Sequence, residues 1–493
     1  MIIEEKHKQA YEGSINLIKS LLAGPEYNSI GFFASSEDKQ NYKRLFARDA
    51  FWIGMASLVS EESLLVDGFK TSLDTLAAHQ REDGAIPSNV SPDGKVSYGI
   101  INPRIDPTTL FVIGCVQLYK KLRDKSILDE YYGPVTRAIN YLENNYVNED
   151  TGLLFTPRAG NWADEYMQQG FVLYDEVLWH IALRSYADIL EIKNKSEASY
   201  YREKSEHVKE LIGEKFWRDE GYFLHFFFAK DKSDTDFTQP HNIFDAFGNI
   251  LALISGVATR EQSAEIIRFI DDLSRNKYPL IPAHFPFFPE DIFKCHKLHQ
   301  YRFKEYVGHY HNGGLWCWYT GLYAAYLSKM GDRERALKFL NGIIKANKEK
   351  KDGKNYFEYH AGKKAEVFLK VRHDNGIDLF LSFKIAEIAK AFKSTVRLLY
   401  QGKKVYADND MALRSLNIRK GEEVKFNAIG PDAEASLKSI AGISSDEGNC
   451  FDHKEIIVKG SRPGGAPYLG VSAAAHIIAH RSFYDLTCPF YFL

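Results

Sequence analysis

The sequence contains little cysteine and no paired cysteine motif. The five cysteines among 493 residues are odd in number and scattered, and no Cys-x-x-Cys pair occurs. This pattern argues against a disulfide framework and against a zinc site built from cysteines. A phosphate-binding glycine loop is also missing, so we expect neither a metal nor a cofactor. The cysteines are Cys115, Cys295, Cys317, Cys450 and Cys488.

Long apolar runs and a strong charge imbalance are missing as well. No stretch of about 18 consecutive apolar residues occurs, so no segment is predicted to span a membrane. The N-terminal residues lack a basic segment followed by an apolar one, which argues against a signal peptide and favours the cytoplasm. The 63 basic and 65 acidic residues nearly cancel, and the net charge of −2 points to neither nucleic acid nor a membrane as partner.

Helical periodicity is the dominant pattern of the sequence as far as residue 350. Short joins between the periodic segments alternate with long loops rich in glycine, proline and aromatic residues. This alternation is typical of helical hairpins arranged in a ring, with the long loops gathered at one face. Eleven helices are predicted, at 5–23, 49–60, 62–80, 107–123, 131–147, 173–192, 197–217, 243–256, 259–274, 312–330 and 333–349.

The long loops carry an acid or an amide, mostly beside aromatic residues. A single Asp at the start of a helix is commonly only a cap. One such group per hairpin, always at the same end, describes instead a pocket that hydrogen-bonds hydroxyl groups. Aromatic residues make up 14% of the chain, and their rings suit stacking on sugars. The motifs are Arg48-Asp49, Arg104-Ile105-Asp106, Trp162-Ala163-Asp164-Glu165, Asp245, Tyr310-His311-Asn312 with Trp316, and Glu358.

One stretch, residues 160–187, places a carboxylate next to an amphipathic helix. Leu173, Val177 and Ile181 recur at helical spacing, and Trp162 and Asp164 lie in the loop just before them. An acid beside an indole at the mouth of a buried helix is partly desolvated, and desolvation raises the pKa of a carboxyl group. A raised pKa suits a general acid that works near neutral pH. The alternative is that Asp164 only caps a local turn.

These segments resemble the six-hairpin, (α/α)6-barrel glycoside hydrolases. Within that group the sequence is most similar to the neutral/alkaline invertases, and the glycogen-debranching glucosidases are more distant. The resemblance spans residues from about 40 to 360 and implies a mainly α toroid of six helical hairpins. The segments that carry it, in order, include FARDAFWIGMASL, WADEYMQQGFVLYDEVLWHIALR, HNIFDAFGNILALISGVATREQS, HYHNGGLWCW and FEYHAGKK.

The resemblance also implies an inverting glycosidase and assigns roles to individual residues. Asp164 matches the general acid of the family and Glu358 its base, which would stand roughly 6.5–9.5 Å apart across the sugar. Cys317 stands where the family has proline, and this departure leaves open whether sucrose is the substrate. Substrate-binding roles fall on Arg48, Asp49, Asp106, Trp162, Asp245, Tyr310, His311, Asn312 and Trp316.

After Glu358 the pattern changes to that of a small α+β module. Residues 364–440 predict strands and helices in the order βαββαβα, the order of an open-faced sandwich. The module resembles the histidine-containing phosphocarrier protein of the bacterial sugar phosphotransferase system. Asp378 stands where that family has its phosphorylated histidine, and Asn409 stands where it has its regulatory serine. Phosphotransfer is therefore not expected.

The module is predicted to interrupt the helical body. Residues 467–483 are similar to the last barrel helix of these glycosidases, and we expect this helix to pack between the first and the eleventh and to close the ring. An insertion at a surface loop whose ends are close costs little free energy. The predicted domains are 1–362 with eleven barrel helices, 363–441 for the insert, and 442–493 for the return segment with the twelfth helix.

Two classes of function remain open on the sequence alone. The first is an enzyme that hydrolyses a small α-linked oligosaccharide, either sucrose-like or an α-glucoside, with a debranching amylo-α-1,6-glucosidase as an alternative. The second is a non-catalytic sugar-sensing or regulatory protein that works through the phosphocarrier-like domain. Fold kinship alone does not decide between them, and the presence of both carboxylates favours the enzyme. The sequence leaves open the oligomeric state and any protein partner of the insert.

Overall fold

The computed structural model describes residues 4–22, 30–37, 41–274, 279–290, 303–445, 448–453 and 455–485. Residue 23 of the first predicted helix, Cys295 and Cys488 lie outside these ranges. Among the described cysteines, Cys115, Cys317 and Cys450 are buried and none forms a disulfide. No helix within the described ranges is long and apolar enough to cross a membrane.

The described residues form fifteen α-helices, twelve of them in the helical body. A short π-helical turn, Ile212–Phe216, extends the seventh helix. Up to the insert the helices are α1 (Glu5–Ser20), α2 (Ala47–Ser60), α3 (Ser63–Ala78), α4 (Asp106–Leu122), α5 (Lys125–Tyr146), α6 (Leu173–Ile192), α7 (Ala198–Leu211), α8 (Ala246–Ser255), α9 (Arg260–Leu273), α10 (Cys317–Lys329) and α11 (Arg333–Lys348). Those that follow are α12 (Leu379–Ala391), α13 (Asp410–Arg414), α14 (Ala433–Ala441) and α15 (Gly470–Tyr484).

Six helices form a closed inner ring, and six others pack behind them. In the inner ring α2, α4, α6, α8, α10 and α15 contact one another in this order, and α15 contacts α2 again. Every residue of α2 except Arg48 is buried, as expected for a helix surrounded by protein. The outer α9 buries only Ile266, Ile270 and Leu273, which form one stripe along the helix. The predicted fold class, six helical hairpins with a small inserted α+β domain, is confirmed.

The last helix closes the ring and contacts both helices that we expected to flank it. α15 packs against α1 and α11, and it also lies in the inner ring between α10 and α2. All residues of α15 except Arg481 and Tyr484 are buried, so the helix needs neighbours on every side. Gly321 of α10 faces the backbone of Ala475, where an added Cβ would stand only 2.4 Å from the carbonyl oxygen. This contact lets the two helices approach closely.

The long loops fold into short antiparallel strands at one face of the ring. Segments rich in aromatic residues, such as Tyr222–Phe228, pair here because such residues favour strands. As a result α8 begins later than predicted, after the strand that ends at Asp245. The strands are β1 (Leu45–Phe46), β2 (Asn89–Val90), β3 (Val96–Ser97), β4 (Phe155–Thr156), β5 (Gly170–Val172), β6 (Trp217–Arg218), β7 (Tyr222–Phe228), β8 (Pro240–Asp245), β9 (Ile281–Pro282), β10 (His284–Phe285), β11 (Leu315–Trp316) and β12 (Tyr359–His360).

The insert builds its own antiparallel sheet and its own hydrophobic core. The strand order is β15 (Lys403–Tyr406), β14 (Thr395–Tyr400), β16 (Glu423–Ile429), β13 (Lys364–Val371) and β19 (Phe451–His453), and β20 (Ile457–Lys459) pairs with another part of β13. The sheet is larger than predicted, because β19 and β20 come from the return segment. Its core is a cluster separate from that of the helical body. The strands are β13 (Lys364–Val371), β14 (Thr395–Tyr400), β15 (Lys403–Tyr406), β16 (Glu423–Ile429), β17 (Ser444–Ser445), β18 (Gly448–Asn449), β19 (Phe451–His453), β20 (Ile457–Lys459) and β21 (Pro463–Gly464).

The two chain segments that flank the insert lie side by side. Strand β12 pairs with β21, so that Tyr359 is opposite Gly464 and His360 is opposite Pro463. The insert touches the helical body through Glu290, which contacts Arg397 at 3.1 Å. The chain therefore leaves and re-enters the helical body at one place, directly beside Glu358.

Candidate active site

The strands and loops at one face of the ring surround a cavity of about 90 Å³. It adjoins an outer cavity of about 470 Å³, which shares Tyr42, Phe46, Arg104, Asp164 and Tyr310 with it. Both carboxylates predicted to be catalytic line the inner cavity, with six of the nine predicted substrate-binding residues. The full lining is Tyr42, Phe46, Arg48, Asp49, Arg104, Trp162, Asp164, Tyr310, His311, Trp316, Trp318, Glu358, Leu469 and Val471.

Glu358 is held by two neutral hydrogen-bond donors. The hydroxyl of Tyr42 donates to its Oε1 at 2.7 Å, and the backbone N–H of Ala466 donates to its Oε2 at 3.1 Å. The side chain is buried next to Gly465, where an added Cβ would meet Oε2 at 2.1 Å. The φ of Gly465 is +75°, so this position demands glycine for both space and backbone conformation. These contacts fix the orientation of the carboxylate.

Asp164 is held by a cation, and this corrects the expected direction of its pKa. The guanidinium of Arg104 forms an ion pair with Oδ2 of Asp164, and both side chains are largely buried. Burial alone would raise the pKa of Asp164, but Arg104, helped by His311, Arg48 and Lys304, outweighs burial and lowers it. The sequence predicted a raised pKa because it showed the neighbouring indole and not the guanidinium. In this arrangement Asp164 is ionised at neutral pH.

Arg48 and Asp106 form a buried ion pair behind the cavity wall. The guanidinium of Arg48 donates from Nε and Nη2 to the two carboxylate oxygens of Asp106, at 2.6 and 3.1 Å, and Tyr174 donates to Oδ2 at 3.2 Å. Asp106 is fully buried and does not line the cavity, although we expected it there as a substrate-binding residue. Its charge instead positions Arg48. Asp49 does line the cavity, and burial, with a contribution from Glu358, raises its pKa to about 7.

Asp245 and Asn312 do not line the cavity either, although we expected both of them there. Asp245 caps α8, with Oδ1 accepting from the N–H of Phe247 at 3.1 Å. The amide side chain of Asn312 accepts from the N–H of Phe288 at 2.8 Å and donates to its carbonyl oxygen at 3.0 Å. Both residues are fully buried, and neither lines the cavity. Their side chains hydrogen-bond to backbone groups, Oδ1 of Asp245 at the start of α8 and the amide of Asn312 at Phe288, and so fix the loops.

The inner end of the cavity is a cluster of indole and imidazole rings around Trp162. Its ring centroid lies 5.1 Å from that of His311, 5.7 Å from Trp316 and 5.6 Å from Trp318. The rings of His311 and Trp316 are parallel to within 3°. The ring of Tyr310 also lines the cavity, and the Nζ of Lys304 lies 4.2 Å from the centroid of this ring. Such faces suit the C–H surface of a sugar.

Several cavity residues escaped the sequence analysis. Tyr42 and Trp318 were not singled out, because a tyrosine or tryptophan in a polar loop or a buried helix has no distinctive spacing. Arg104 was quoted as part of a motif, yet only the acid two residues later received a role. Leu469 and Val471, at the start of α15, come from the far end of the chain. A basic residue paired with an acid is the one signal that could have drawn attention to Arg104.

One cluster outside the cavity has the residue types and spacing of a metal site. It consists of His225, Asp245 and His284, all buried, and it is the only such group that the described ranges contain. Burial lowers the pKa of His284 to about 3 and that of His225 well below its ordinary value. Burial raises the pKa of Asp245 to about 7. Both imidazoles are therefore neutral.

Two sequence profiles match the helical body. The profile of the bacterial alpha-L-rhamnosidase six-hairpin glycosidase domain matches residues 50–280, and that of alkaline and neutral invertase matches residues 233–374. The helical body is a six-hairpin glycosidase domain. This confirms the resemblance found in the sequence and, at the level of the superfamily, the predicted enzyme class, glycoside hydrolase. A third profile, described as the PTS HPr component phosphorylation site, matches residues 366–445, which cover most of the insert.

Solved structures share the fold of the glycosidase domain at low sequence identity. A bacterial glucoamylase complexed with acarbose is 19% identical, with a TM-score of 0.50 over 69% of this chain and 49% of the other. A rhamnosidase from Klebsiella oxytoca with rhamnose bound is 14% identical, with a TM-score of 0.52 over 73% of this chain and 58% of the other. An uncharacterised conserved protein from Thermus thermophilus is 12% identical, with a TM-score of 0.53 over 71% of this chain and 94% of the other. The chain thus spans about half the length of the glucoamylase.

In the insert, the two positions expected to carry the phosphorylation sites hold other residues. Asp378 caps α12, with Oδ1 accepting from the N–H of Leu381 at 3.0 Å. Asn409 caps α13, with its side-chain oxygen accepting from the N–H of Ala412 at 2.9 Å. His373 lies near Asp378, with Nδ1 at 3.9 Å from Oδ1. Both substituted residues therefore serve as helix caps.

Proposed function

We propose that the glycosidase domain hydrolyses a small α-linked oligosaccharide with inversion, with Asp164 as the acid and Glu358 as the base. The observation that carries the proposal is that these two carboxylates, 194 positions apart in the sequence, line one small cavity. An inverting glycosidase needs one carboxyl group to protonate the leaving oxygen and another, across the sugar ring, to activate water. No metal takes part in this scheme.

On the base side, Glu358 is oriented before substrate arrives. Each of its oxygens already accepts one hydrogen bond, from Tyr42 and from Ala466, and each can accept one more. A water molecule donating to Glu358 would therefore be held in a defined direction towards the sugar. As the water attacks the anomeric carbon, its proton passes to the carboxylate.

On the acid side, Arg104 must release Asp164 before the reaction. A general acid donates a proton, and the ion pair with Arg104 keeps Asp164 ionised in the free protein. Arg104 also donates to Oγ of Ser88 at 2.6 Å, so the guanidinium has a second anchor. We expect the sugar to separate Arg104 from Asp164, after which burial raises the pKa of Asp164 and the carboxyl group takes up its proton.

The shape of the cavity supports a substrate with a terminal sugar. The rings of Trp162, Trp316 and Trp318 line the inner cavity, and the larger outer cavity adjoins it. Such a site suits one sugar ring inside and the leaving group outside. Cys317, the departure from the invertase pattern, does not line the cavity. The invertase profile over residues 233–374 supports a sucrose-like sugar or an α-glucoside.

Release of monosaccharide from sucrose, maltose, isomaltose and trehalose tests the proposal. Asp164→Asn and Glu358→Gln should each lower kcat by roughly 10²–10⁴-fold with circular dichroism unchanged, because each removes one proton transfer. Glu165→Gln, a change of the adjacent acid, serves as the control and should stay within about tenfold of the wild type. Nuclear magnetic resonance of the first product should show the inverted anomer. Retained activity in either of the first two variants would exclude the assignment.

A second candidate is a sugar-binding regulatory protein without turnover. The ion pair between Arg104 and Asp164 favours it, because an ionised Asp164 binds hydroxyl groups well but cannot donate a proton. Calorimetry distinguishes the two candidates. Binding of a sugar without release of monosaccharide at any pH would support the regulatory protein, whereas turnover would exclude it.

A further inference from the structure

Three neighbouring strands bring two histidines and an aspartate together behind the cavity. His225 lies in β7, Asp245 ends β8, and His284 begins β10, and β8 pairs with both of the other strands. His284 is directly opposite Asp245 in the register. The register of β7 against β8 shifts between Leu224 and Phe226, which is at His225. Such an irregularity turns a side chain away from its regular direction.

Each of the three side chains has an atom without a hydrogen bond in the described part of the chain. These atoms are Nδ1 of His225, Oδ2 of Asp245 and Nε2 of His284. The three residues are at most 1% exposed, and one nitrogen or oxygen atom from each lies within 4.8 Å of the others. Leaving a buried polar atom without a partner is unfavourable. Nε2 of His284 lies 3.9 Å from Oδ1 of Asp245, so the side chains face one another. Three buried side chains with unused hydrogen-bonding atoms in one cluster indicate a ligand that they share.

The opposite side of each imidazole is held by a carbonyl oxygen. Nε2 of His225 lies 2.6 Å from Oε1 of Gln168, and Nδ1 of His284 lies 2.7 Å from the backbone oxygen of His311. Because a carbonyl oxygen only accepts, each ring must carry its proton on that nitrogen. The other nitrogen, which has no partner, then presents a lone pair. Metal-bound histidines are typically oriented by this kind of outer hydrogen bond.

We propose that His225, Asp245 and His284 bind a divalent transition-metal ion of the zinc type. Two imidazoles and one carboxylate form a common ligand set for such ions. Ligands at about 2.1 Å in tetrahedral geometry stand about 3.4 Å apart, so the three side chains would move towards one another around the ion. The imidazoles of His225 and His284, which are stacked with ring centroids 4.3 Å apart and planes at 29°, would turn their nitrogens towards it. The ring of His241 is 5.6 Å from that of His225, and its Nε2 also makes no hydrogen bond in the described chain, so it is the candidate for a fourth ligand.

The position of the site indicates a structural role. None of the three ligands lines the cavity. His284, however, stacks on Trp162 with ring centroids 5.8 Å apart, and it is hydrogen-bonded to the backbone of His311. Both of these neighbours line the cavity. The ion would therefore fix the wall on which a sugar stacks, and its loss should raise KM more than it lowers kcat.

Metal retention and thermal stability test this site. The wild type is first stripped with EDTA and then incubated with Zn²⁺. After desalting it should retain about one equivalent of the ion. Excess Zn²⁺ should raise its Tm by about 5 °C relative to EDTA. His225→Gln and His284→Gln should lose both responses. His180→Gln is the matched control, because His180 is equally buried and binds Ser205 far from the cluster.

Cobalt provides a readout that does not depend on the variants folding. Co²⁺ added to the stripped wild type should give the visible absorption of a tetrahedral site, and Zn²⁺ should abolish it. Two outcomes would overturn the proposal. One is a wild type that retains neither ion and whose Tm is the same in Zn²⁺ and EDTA. The other is folded His225→Gln and His284→Gln variants that retain Zn²⁺ as the wild type does.

Discussion

The two walls of the cavity hold their carboxylates in opposite ways. Glu358 accepts hydrogen bonds from the neutral donors Tyr42 and Ala466, whereas Asp164 faces the guanidinium of Arg104. A neutral donor orients a carboxylate while leaving it able to gain a proton, and a cation opposes that gain. In the proposed mechanism Glu358 would therefore be ready as the base in the free protein, whereas Asp164 would become ready as the acid only when substrate displaces Arg104.

The walls also differ in how the chain builds them. The wall that carries Asp164 is one continuous loop between β4 and β5. The wall that carries Glu358 is built from the two segments that flank the insert, where β12 pairs with β21. A change in the insert should therefore reach Glu358 and spare Asp164. The four predictions that follow test this contrast, starting with the largest effect.

The largest effect should come from removing the end of the chain. Truncation after residue 440 should abolish folding, because it removes the buried α15 and opens the inner ring. Deleting residues 364–459 and joining the ends with a short flexible linker should instead leave the ring folded, since β12 and β21 hold those ends together. Circular dichroism and thermal melting distinguish the two outcomes. A cooperative melt of the truncated chain would contradict the role given to α15.

Tyr42→Phe should lower kcat by about 10–100-fold, because it removes a hydrogen bond to the charged base. Binding of a sugar, measured by calorimetry on the Glu358→Gln background, should change little. The control is Tyr98→Phe, which removes a hydroxyl bonded to the carbonyl oxygen of His79 outside the inner cavity. If Tyr42→Phe and Tyr98→Phe had equal kcat values, the neutral donor would not orient the base.

Arg104→Gln should move the alkaline limb of the kcat/KM profile to higher pH by roughly one to three pH units. Asp164 must be protonated to act, so activity falls as pH rises through its pKa. Arg104 lowers that pKa, and without it burial raises the pKa, which extends activity upwards. Arg44→Gln, a change at the outer cavity, is the control and should leave the limb in place. An unmoved limb in Arg104→Gln would show that Asp164 is not the acid.

Glu290→Gln should have the smallest effect on turnover, within about twofold, while lowering the free energy of unfolding by about 3 kcal/mol. It leaves the buried Arg397 without its carboxylate. Burial opposes ionisation of Glu290, but Arg397 and Lys404 outweigh it and lower its pKa. The stabilisation is therefore present above the ordinary pKa of 4.5 and is lost as pH falls through the lowered pKa.

The control for that change is Asp272→Asn, because its partner Lys393 is half-exposed and an exposed pair contributes less than about 1 kcal/mol. Chemical denaturation at two pH values measures both variants. Equal losses from Glu290→Gln and Asp272→Asn would contradict a buried contact between the insert and the glycosidase domain.

Much of the ring could be predicted from the sequence, because periodicity and loop length are local properties. The positions of Asp164 and Glu358 in one cavity followed from motifs, each of which lies within a short segment. The partner of Asp164 could not be predicted in the same way, because the contact with Arg104 depends on how two distant loops meet. For the same reason Asp106, Asp245 and Asn312 were expected at the cavity, although their side chains turn to partners behind it.

Strand pairing was the main structural feature that the sequence did not reveal. The segments 218–242 and 275–311 were predicted as loops, but parts of them pair as β7, β8, β9 and β10. The register between these strands is what places His225 beside His284. The sheet of the insert is larger than predicted for the same reason, because β19 and β20, which pair with β13, lie beyond the predicted module. Pairing between distant segments is a property of the folded chain and leaves no local signal.

The indole cluster at the inner end of the cavity has an optical consequence. Four of the six tryptophans, Trp52, Trp162, Trp316 and Trp318, form a chain of neighbours whose ring centroids are 5.6–6.3 Å apart. Indole rings this close transfer excitation energy to one another. The fluorescence emission of the cluster therefore depends on the surroundings of all four rings. Near-ultraviolet emission of the unlabelled protein should therefore change when a sugar enters the cavity, and it should also be quenched when Co²⁺ binds behind Trp162.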